Sequence, residues 1–464
     1  MRRSDPSLDC FFRPKAVALI GASSKPGKIG HESLRSLLMT GYSGKIYPVN
    51  PRADEILGLK AYPSLLDVPD EVDLAVITLP ARSVVDAMKD CLKKGVKAVV
   101  IISGGFGEAG PEGKRIEEEV VRLAKEGGIR IIGPNCIGVF DGYSRVDTSF
   151  QPHERMGRPG PGVVAFLSQS GTFGATFLDW AAEDHLGVSK MVSLGNRADV
   201  DEADLISYFA EDPKTHVIGV YVESFTRGRE LMEAVRDAGK PVVVYKASRT
   251  EKGSLAAISH TGRMVAKHEV ASSALRQAGA LLVDSFGELY AAVKALAKQP
   301  VMKDGGVVMV TNGAGPCVMA ADELVMKGVP LAQLREDTKE ELRGSLPPYV
   351  LVGDFVIDLT GSANTSDYLN ALEVLAKSEK VGLLGVFVVF QDSPLEDNFA
   401  EVLSRFDTAG KPLLVFAAGG RYTREKRSLL EEVGIPTYDD VREFASASLA
   451  LWWWGHERQG APSV

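Results

Sequence analysis

The chain has 464 residues, room for about three domains at ~150 residues each. Hydrophobic residues make up 45% and charged residues 25%, which excludes a disordered or fibrous polymer. Its net charge of −8 argues against a general nucleic-acid binder, and four cysteines without CxxC or CxxH spacing supply neither a disulfide framework nor a zinc site.

The first residues, Met1–Arg13, carry two early arginines but no apolar run long enough for a signal peptide. Five β-branched runs follow, at 16–23, 45–50, 73–80, 97–105 and 129–135, separated by amphipathic stretches such as 83–95 and 113–128. Strand alternating with helix predicts an α/β fold built on a parallel, doubly wound sheet. Segment 151–162 holds three prolines and three glycines and predicts a linker, and a second boundary falls at 298–304. The expected domains are 1–150, 151–299 and 300–464. The longest apolar run, Val381–Phe390, has ten residues, too few to span ~30 Å of hydrocarbon as a helix. It reads as a buried parallel strand. No membrane segment, a cytoplasmic location and reduced cysteines are therefore expected.

Beyond residue 160 the chain repeats itself. GVVAFLSQSG (162–171) aligns with GVVMVTNGAG (306–315), IGVYV (218–222) with LGVFV (384–388), and AGKP occurs at both 238–241 and 409–412. GALLVDSFGEL (279–289) aligns with GIPTYDDVREF (434–444). Matches in one order predict two copies of one α/β domain. The interval from Gly239 to Gly279 is 16 residues longer than that from Gly410 to Gly434. The extra residues fall at about 249–267, RTEKGSLAAISHTGRMVAK, and a long loop inside a compact domain is usually functional or disordered.

The chain has 47 glycines, about a tenth of its residues against an average near 7%. Glycine at that density marks strand-to-helix turns, where phosphates bind. The first such turn is Gly21-Ala22-Ser23-Ser24-Lys25-Pro26-Gly27-Lys28, in which backbone N–H groups, a helix N-terminus and two lysines suit a phosphate. The second strand ends at Val49-Asn50-Pro51-Arg52, without the acidic residue that binds a ribose 2′-hydroxyl. A phosphorylated ribose, as in NADP or coenzyme A, fits Arg52 better. Thr78-Leu79-Pro80, Ser103-Gly104-Gly105-Phe106-Gly107-Glu108 and the 133–138 turn with Asn135 and Cys136 end strands at the same sheet edge, where ligands of open α/β sheets bind. Cys136 has no base beside it in sequence and reads as a packed thiol. Ser168-Gln169-Ser170-Gly171-Thr172 is either an anion site or an ordinary helix N-cap. Gly195-Asn196 and Asn312-Gly313-Ala314-Gly315 occupy comparable turns.

His260 stands between Ser259 and Thr261-Gly262 in the stretch the second copy lacks. A neutral imidazole is a nucleophile toward phosphorus, and small neighbours allow a phosphoryl group to approach. Its second ring nitrogen needs a carboxylate. Glu223, at the carboxyl end of the apolar strand 217–225, is the candidate.

The motifs GASSKPGKIG, YPVNP, SGGFGE, GPNCIG, LSQSGTFG, YVES and SHTG, in this order, resemble those of the NDP-forming acyl-coenzyme A synthetases, in particular the α subunit of the ADP-forming acetate type. The resemblance implies a Rossmann-like CoA-binding domain followed by two flavodoxin-like, doubly wound domains. It implies that Gly21–Lys28, Val49–Arg52, Thr78–Pro80, Ser103–Glu108, Asn135 and Cys136 hold coenzyme A. Acyl group and inorganic phosphate would meet at Ser168–Thr172, Gly195, Asn196, Ser259, Gly262 and Asn312–Gly315, between the second and third domains. His260 would take the phosphoryl group, with Glu223 stabilising phosphohistidine, in the reaction acyl-CoA + Pi + ADP to acid + CoA + ATP. No metal site is implied on this chain: ADP/ATP and Mg2+ would bind mainly on an ATP-grasp β subunit, in an α2β2 assembly. Cys317 departs from the pattern, where a small residue is expected. Two alternatives fit the same residues, a non-catalytic CoA- or nucleotide-binding sensor and an NAD(P)-dependent oxidoreductase.

Overall fold

A computed structural model describes residues 5–255 and 267–460. The chain forms two compact units, Met1–Glu183 with Gly187–Leu282, and Asp184–Leu186 with Val283–Val464.

The first unit holds two main sheets. One comprises β1 (Ala16–Ile20), β2 (Lys45–Val49), β5 (Leu74–Ile77), β6 (Ala98–Ile101) and β7 (Arg130–Ile132), with a small hairpin of β3 (Glu55–Ile56) and β4 (Leu59–Lys60) beside it. Its order is β2-β1-β5-β6-β7, all parallel. These are the five runs expected from sequence. β1, β5 and β6 are buried along their whole length, because helices cover both sheet faces. Helix Ala81–Lys94 shows how: Val84, Ala87, Met88 and Cys91 form its buried stripe at helical spacing. Parallel pairing brings every carboxyl end to one edge, so Gly21, Asn50, Thr78, Ile102 and Gly133 follow their strands side by side.

The other sheet contains β8 (Val139–Asp141), β9 (Pro161–Ser168), β10 (Val188–Ser193), β11 (Val217–Val222), β12 (Val242–Lys246) and β13 (Leu281–Val283), ordered β13-β12-β11-β9-β10-β8. β8 runs antiparallel to β10. It enters this sheet from before the proline- and glycine-rich segment. That segment is pinned by Arg158, whose Nε donates to Asp147 Oδ2 at 2.6 Å and whose Nη2 donates to Ser149 Oγ at 3.0 Å and to the Gln151 carbonyl at 2.9 Å.

The second unit carries β14 (Gly306–Thr311), β15 (Leu351–Val352), β16 (Val356–Asp358), β17 (Val381–Phe387), β18 (Leu413–Phe416) and β19 (Thr437–Tyr438), ordered β15-β16-β14-β17-β18-β19. The order reproduces that of the preceding sheet, β14 standing where β9 stands, β17 for β11 and β18 for β12. Each sheet also has one antiparallel edge strand, β15 and β8. The internal repeat expected from sequence therefore has a structural counterpart, and the α/β, doubly wound reading holds. The apolar run from 381 supplies β17, fully buried. Among the described residues no helix is long and apolar enough to cross a membrane.

The second unit also buries charge. Glu443 lies against Gly287, where a Cβ would come within 2.3 Å of its Oε1. Burial first, and the Asp439 carboxylate after it, push the Glu443 carboxyl up to about 7, against the pull of Lys294. Its pKa in the unfolded chain is ~4.3. A carboxyl raised on folding binds a proton that the unfolded chain releases, so its stabilising effect is full below pH ~4 and is lost as pH rises through about 7. Glu443→Gln should therefore match wild type in thermal melts at pH 4 and exceed it by about 3–4 kcal/mol at pH 8. Equal differences at both pH values would show that Glu443 ionises without penalty.

Candidate functional site

The first turn is built by close approach. Gly21 has φ +95°, and a Cβ on Gly30 would lie 2.1 Å from the Gly21 carbonyl oxygen. Thr78 Oγ1 lies 3.1 Å from that same oxygen, as donor. Asn50 Nδ2 donates to the Ala22 carbonyl at 2.7 Å, and Asn50 Oδ1 accepts from the Arg52 N–H at 2.8 Å. Two residues that sequence reasoning passed over complete the support. His31 Nδ1 sits 3.0 Å from the Ser23 carbonyl, and Glu32 Oε1 accepts from the Gly27 N–H at 2.8 Å. Both lie one turn into the helix that the loop opens, a position that could have signalled them. Ser24, Lys25, Pro26, Lys28, Pro51 and Arg52 remain exposed. Lys25, Lys28 and Arg52 have no ion-pair partner among the described residues, so two exposed cations precede the helix N-terminus and a third follows the neighbouring strand, an arrangement that attracts phosphate.

A cavity of about 500 Å³ lies further along the same unit. Its walls bring together Ser103, Gly104, Asn135 and Cys136 from the first sheet's edge with Gln169, Ser170, Gly171, Thr172, Gly195 and Asn196 from the second. Ile29, Ile102, Ile137, Phe150, Gln151 and Arg197 also line it. Ile29 and Ile137 fall inside the GASSKPGKIG and GPNCIG motifs, whereas Ile102, Phe150, Gln151 and Arg197 carry no motif that could have signalled them. Gly105, Phe106 and Glu108 stand behind the wall. Glu108 Oε1 accepts from the Gly105 and Phe106 N–H groups at 2.5 and 3.1 Å, and Oε2 accepts from Asn196 Nδ2 at 2.5 Å. Burial opposes its charge, but the Asn196 amide and these N–H groups outweigh it and hold the carboxyl below the usual range. Cys136 Sγ lies 3.3 Å from the Ile101 carbonyl, and burial pushes its thiol up to about 12. A thiol that stays protonated is no nucleophile, in line with the packed reading.

Ser168 ends β9 with its hydroxyl turned onto Ser170, donating to the carbonyl at 2.6 Å and accepting from the N–H at 3.2 Å. Ser170 Oγ accepts from the Phe173 N–H at 3.4 Å, so it caps the helix Gly171–Glu183 as well as facing the cavity. Glu223 follows β11 and is buried; its N–H donates to Gln169 Oε1 at 2.8 Å, and Oε1 accepts from the Tyr221 hydroxyl at 3.3 Å. On the neighbouring strand Val222 pairs with Lys246. Burial lowers the Lys246 ammonium to about 8, against the opposing charge of Glu223. Ser259, His260 and Gly262 lie outside the described residues.

The remaining turn belongs to the second unit. Asn312 is fully committed there: Nδ2 donates to the Val389 carbonyl and to Asp392 Oδ2, both at 3.1 Å, and Oδ1 accepts from the Val389 N–H and the Tyr368 hydroxyl, both at 2.8 Å. Gly313 and Ala314 lead into the helix Gly315–Met326, whose Cys317 is fully buried with its thiol pushed up to about 12 by desolvation.

Comparison with known proteins bears on these turns. Residues 15–141 match the family model of a CoA binding domain, and residues 161–296 match that of a succinyl-CoA ligase like flavodoxin domain. The acetate–CoA ligase [ADP-forming] I subunit alpha of Pyrococcus furiosus is 39% identical, over 97% of this chain and 98% of its own. The acetate–CoA ligase [ADP-forming] I of Archaeoglobus fulgidus is 37% identical over 95% of this chain, which spans 63% of that longer protein. The dinucleotide-forming acetyl-coenzyme A synthetase 1 of Ca. Korarchaeum cryptofilum, solved with phosphate and ADP, superposes with a TM-score of 0.89 at 36% identity, covering 97% of each chain.

Proposed function

Given that the chain belongs to the family of ADP-forming acetate–CoA ligase α subunits, we propose that its first unit holds coenzyme A and carries the phosphoryl step in acyl-CoA + Pi + ADP to acid + CoA + ATP. The observation that carries this reading is the convergence of strand-end turns from two sheets on one cavity, with Glu223 fixed beside it through Gln169.

The residues fit coenzyme A. The Gly21–Lys28 turn has no space for a side chain at Gly30, so backbone N–H groups can approach a pyrophosphate directly. Lys25, Lys28 and Arg52 supply positive charge for a phosphorylated ribose. Val49–Arg52, Thr78–Pro80 and Ser103–Gly105 line the path along the sheet edge toward Asn135 and Cys136. Coenzyme A brings a thiol that forms and releases the thioester. The chain's part is to orient that thiol and to offer the N–H groups of Gly171, Thr172 and Gly195 to an oxyanion and phosphate. Phosphate displaces the coenzyme A thiolate at the acyl carbon to give an acyl phosphate; His260 then takes the phosphoryl group on one ring nitrogen as its bond to the acyl oxygen breaks and the acid leaves, and Glu223 holds the other N–H and balances the cationic ring.

An ATP-grasp β subunit then supplies the ADP site and its Mg2+, in an α2β2 assembly. The length of the Archaeoglobus relative beyond the matched region supports a second component of this kind. Acetate is the first acid to test, and free cysteines at 10, 91, 136 and 317 suit a reducing cytoplasm.

The test is direct. The full chain incubated with acetyl-CoA and radiolabelled phosphate should acquire an acid-labile, base-stable label on His260, and His260→Ala should acquire none. An unlabelled wild type, or equal label on the variant, would overturn the reading.

A further inference from the structure

One turn reaches both walls of the cavity. Gly195 packs on the 134–135 backbone so closely that a Cβ would sit 2.1 Å from the Pro134 carbonyl oxygen, and the Asn196 N–H donates to that oxygen at 2.8 Å. The Asn196 amide spends its two hydrogens on carboxylates, Glu108 Oε2 at 2.5 Å and Glu117 Oε2 at 2.9 Å. Those carboxylates in turn accept from the N–H groups of Gly105, Phe106 and Gly107. Asn196 therefore holds the coenzyme-side loop.

Arg197, the next residue, reaches the opposite way. It is only 6% exposed and sits at φ 54°, in the left-handed region. Its Nη1 donates to the Ser224 carbonyl at 2.7 Å and to Glu202 Oε1 at 3.0 Å, and its Nη2 donates to Ser224 Oγ at 2.8 Å. Gln169 closes the same knot. Its Oε1 accepts from the N–H groups of Glu223 at 2.8 Å and Ser224 at 3.1 Å, while its Nε2 donates to the Ser224 carbonyl at 2.6 Å and to Glu202. Every polar group of Ser224 is thus taken by Arg197 or Gln169. A planar guanidinium that grips a carbonyl and a hydroxyl of one residue fixes its orientation, which an ammonium cannot do.

We infer that Asn196 and Arg197 are positioning residues: the turn keeps the Ser103–Gly107 loop and the Glu223 strand end in register across the cavity. The inference rests on the role proposed above for Glu223. A displacement of about 1 Å at such a group costs on the order of 100-fold in rate, and the two side chains divide that dependence between them. Asn196→Ala should raise the KM for coenzyme A about tenfold with kcat within threefold. Arg197→Ala should lower kcat for phosphate-dependent turnover about 100-fold with coenzyme A affinity within threefold.

The experiment uses the full chain in its complex with the nucleotide-binding partner subunit, with wild type, Glu223→Gln, Asn196→Ala and Arg197→Ala assayed side by side. Because Arg197→Ala leaves Glu202 buried beside a lost cation, the double variant Arg197→Met with Glu202→Gln is included, and it should show the same kcat loss. Millimolar ethylguanidinium should restore Arg197→Ala at least tenfold, since the residue lines an open cavity, and should leave Asn196→Ala unchanged. Parallel losses in KM and kcat for both variants without rescue, or wild-type kcat in the double variant, would overturn the positioning role. If Glu223→Gln itself turns over at the wild-type rate, the reading of the phosphoryl site fails instead.

Discussion

Gly30→Ala should cost the chain at least 100-fold in coenzyme A affinity, about 2.7 kcal/mol, while the protein stays folded. A Cβ at that position would lie 2.1 Å from the Gly21 carbonyl oxygen and 2.9 Å from Thr78 Oγ1. The first of these is backbone, so the clash is relieved only by moving the helix Ile29–Met39 away from the turn or by rotating the Gly21 peptide. Either motion swings the N–H groups of the 21–28 turn out of register with the helix N-terminus, and with them the site for a pyrophosphate. Calorimetric titration of the full chain with coenzyme A reads the effect. Gly228→Ala is the control, because a Cβ there meets nothing within 4 Å and the residue lies away from the turn. Equal affinities for the two variants would remove the 21–28 turn from the coenzyme site.

The largest effect on stability should come from Lys294→Met. The Lys294 ammonium is buried, paired with Asp184 Oδ2 at 2.8 Å and Glu431 Oε1 at 2.7 Å, and donates to the Thr437 carbonyl at 2.8 Å. Burial pulls its pKa down, but the Glu431 and Asp184 carboxylates outweigh that and leave it raised. Removing the cation leaves Glu431 buried with one remaining ion pair, to Lys298 at 2.6 Å. Breaking one side of a buried pair typically costs about 3–5 kcal/mol, which for a unit of this size lowers Tm by roughly 6–20 °C. Replacing Glu431 by Gln in the same chain should recover part of that loss. A melt shifted by less than 2 °C would mean that water or a rearranged side chain reaches the site.

The sheets were legible because their signals are local. Runs such as Ala16–Ile20 and Leu74–Ile77 are apolar on both faces, a pattern that only a strand between two helical layers satisfies. The turns at 21–28, 103–108 and 168–172 were legible for the same reason, since glycine and hydroxyl residues mark a strand end within a few residues of local sequence. What sequence could not supply is which side chains the fold spends on itself. Gln169 and Asn196 look like ligand groups by type and place, yet their amides are committed to Ser224, Glu202, Glu108 and Glu117. Arg197 gave no signal, although it holds the strand end that carries Glu223. Such pairings join residues far apart in the chain, and only the strand order brings them together. The helix limits moved by about two residues, as at Ala81–Lys94, because Pro80 already adopts the entry geometry that spacing alone does not reveal.

The path of β8 has a consequence for how the first unit can be divided. Residues 139–141 precede the proline-rich segment yet hydrogen-bond to β10 in the sheet that follows it. A fragment begun at the segment would lack its outermost strand and present β10 as a bare edge, open to pairing with another chain. A fragment ended there would carry β8 with no sheet to join. The two halves of the unit are laced by β8, by the Arg130–Asp199 ion pair and by the Asn196 bonds to Glu108 and Glu117, so the place where the chain is easiest to cut is not a place where the fold comes apart.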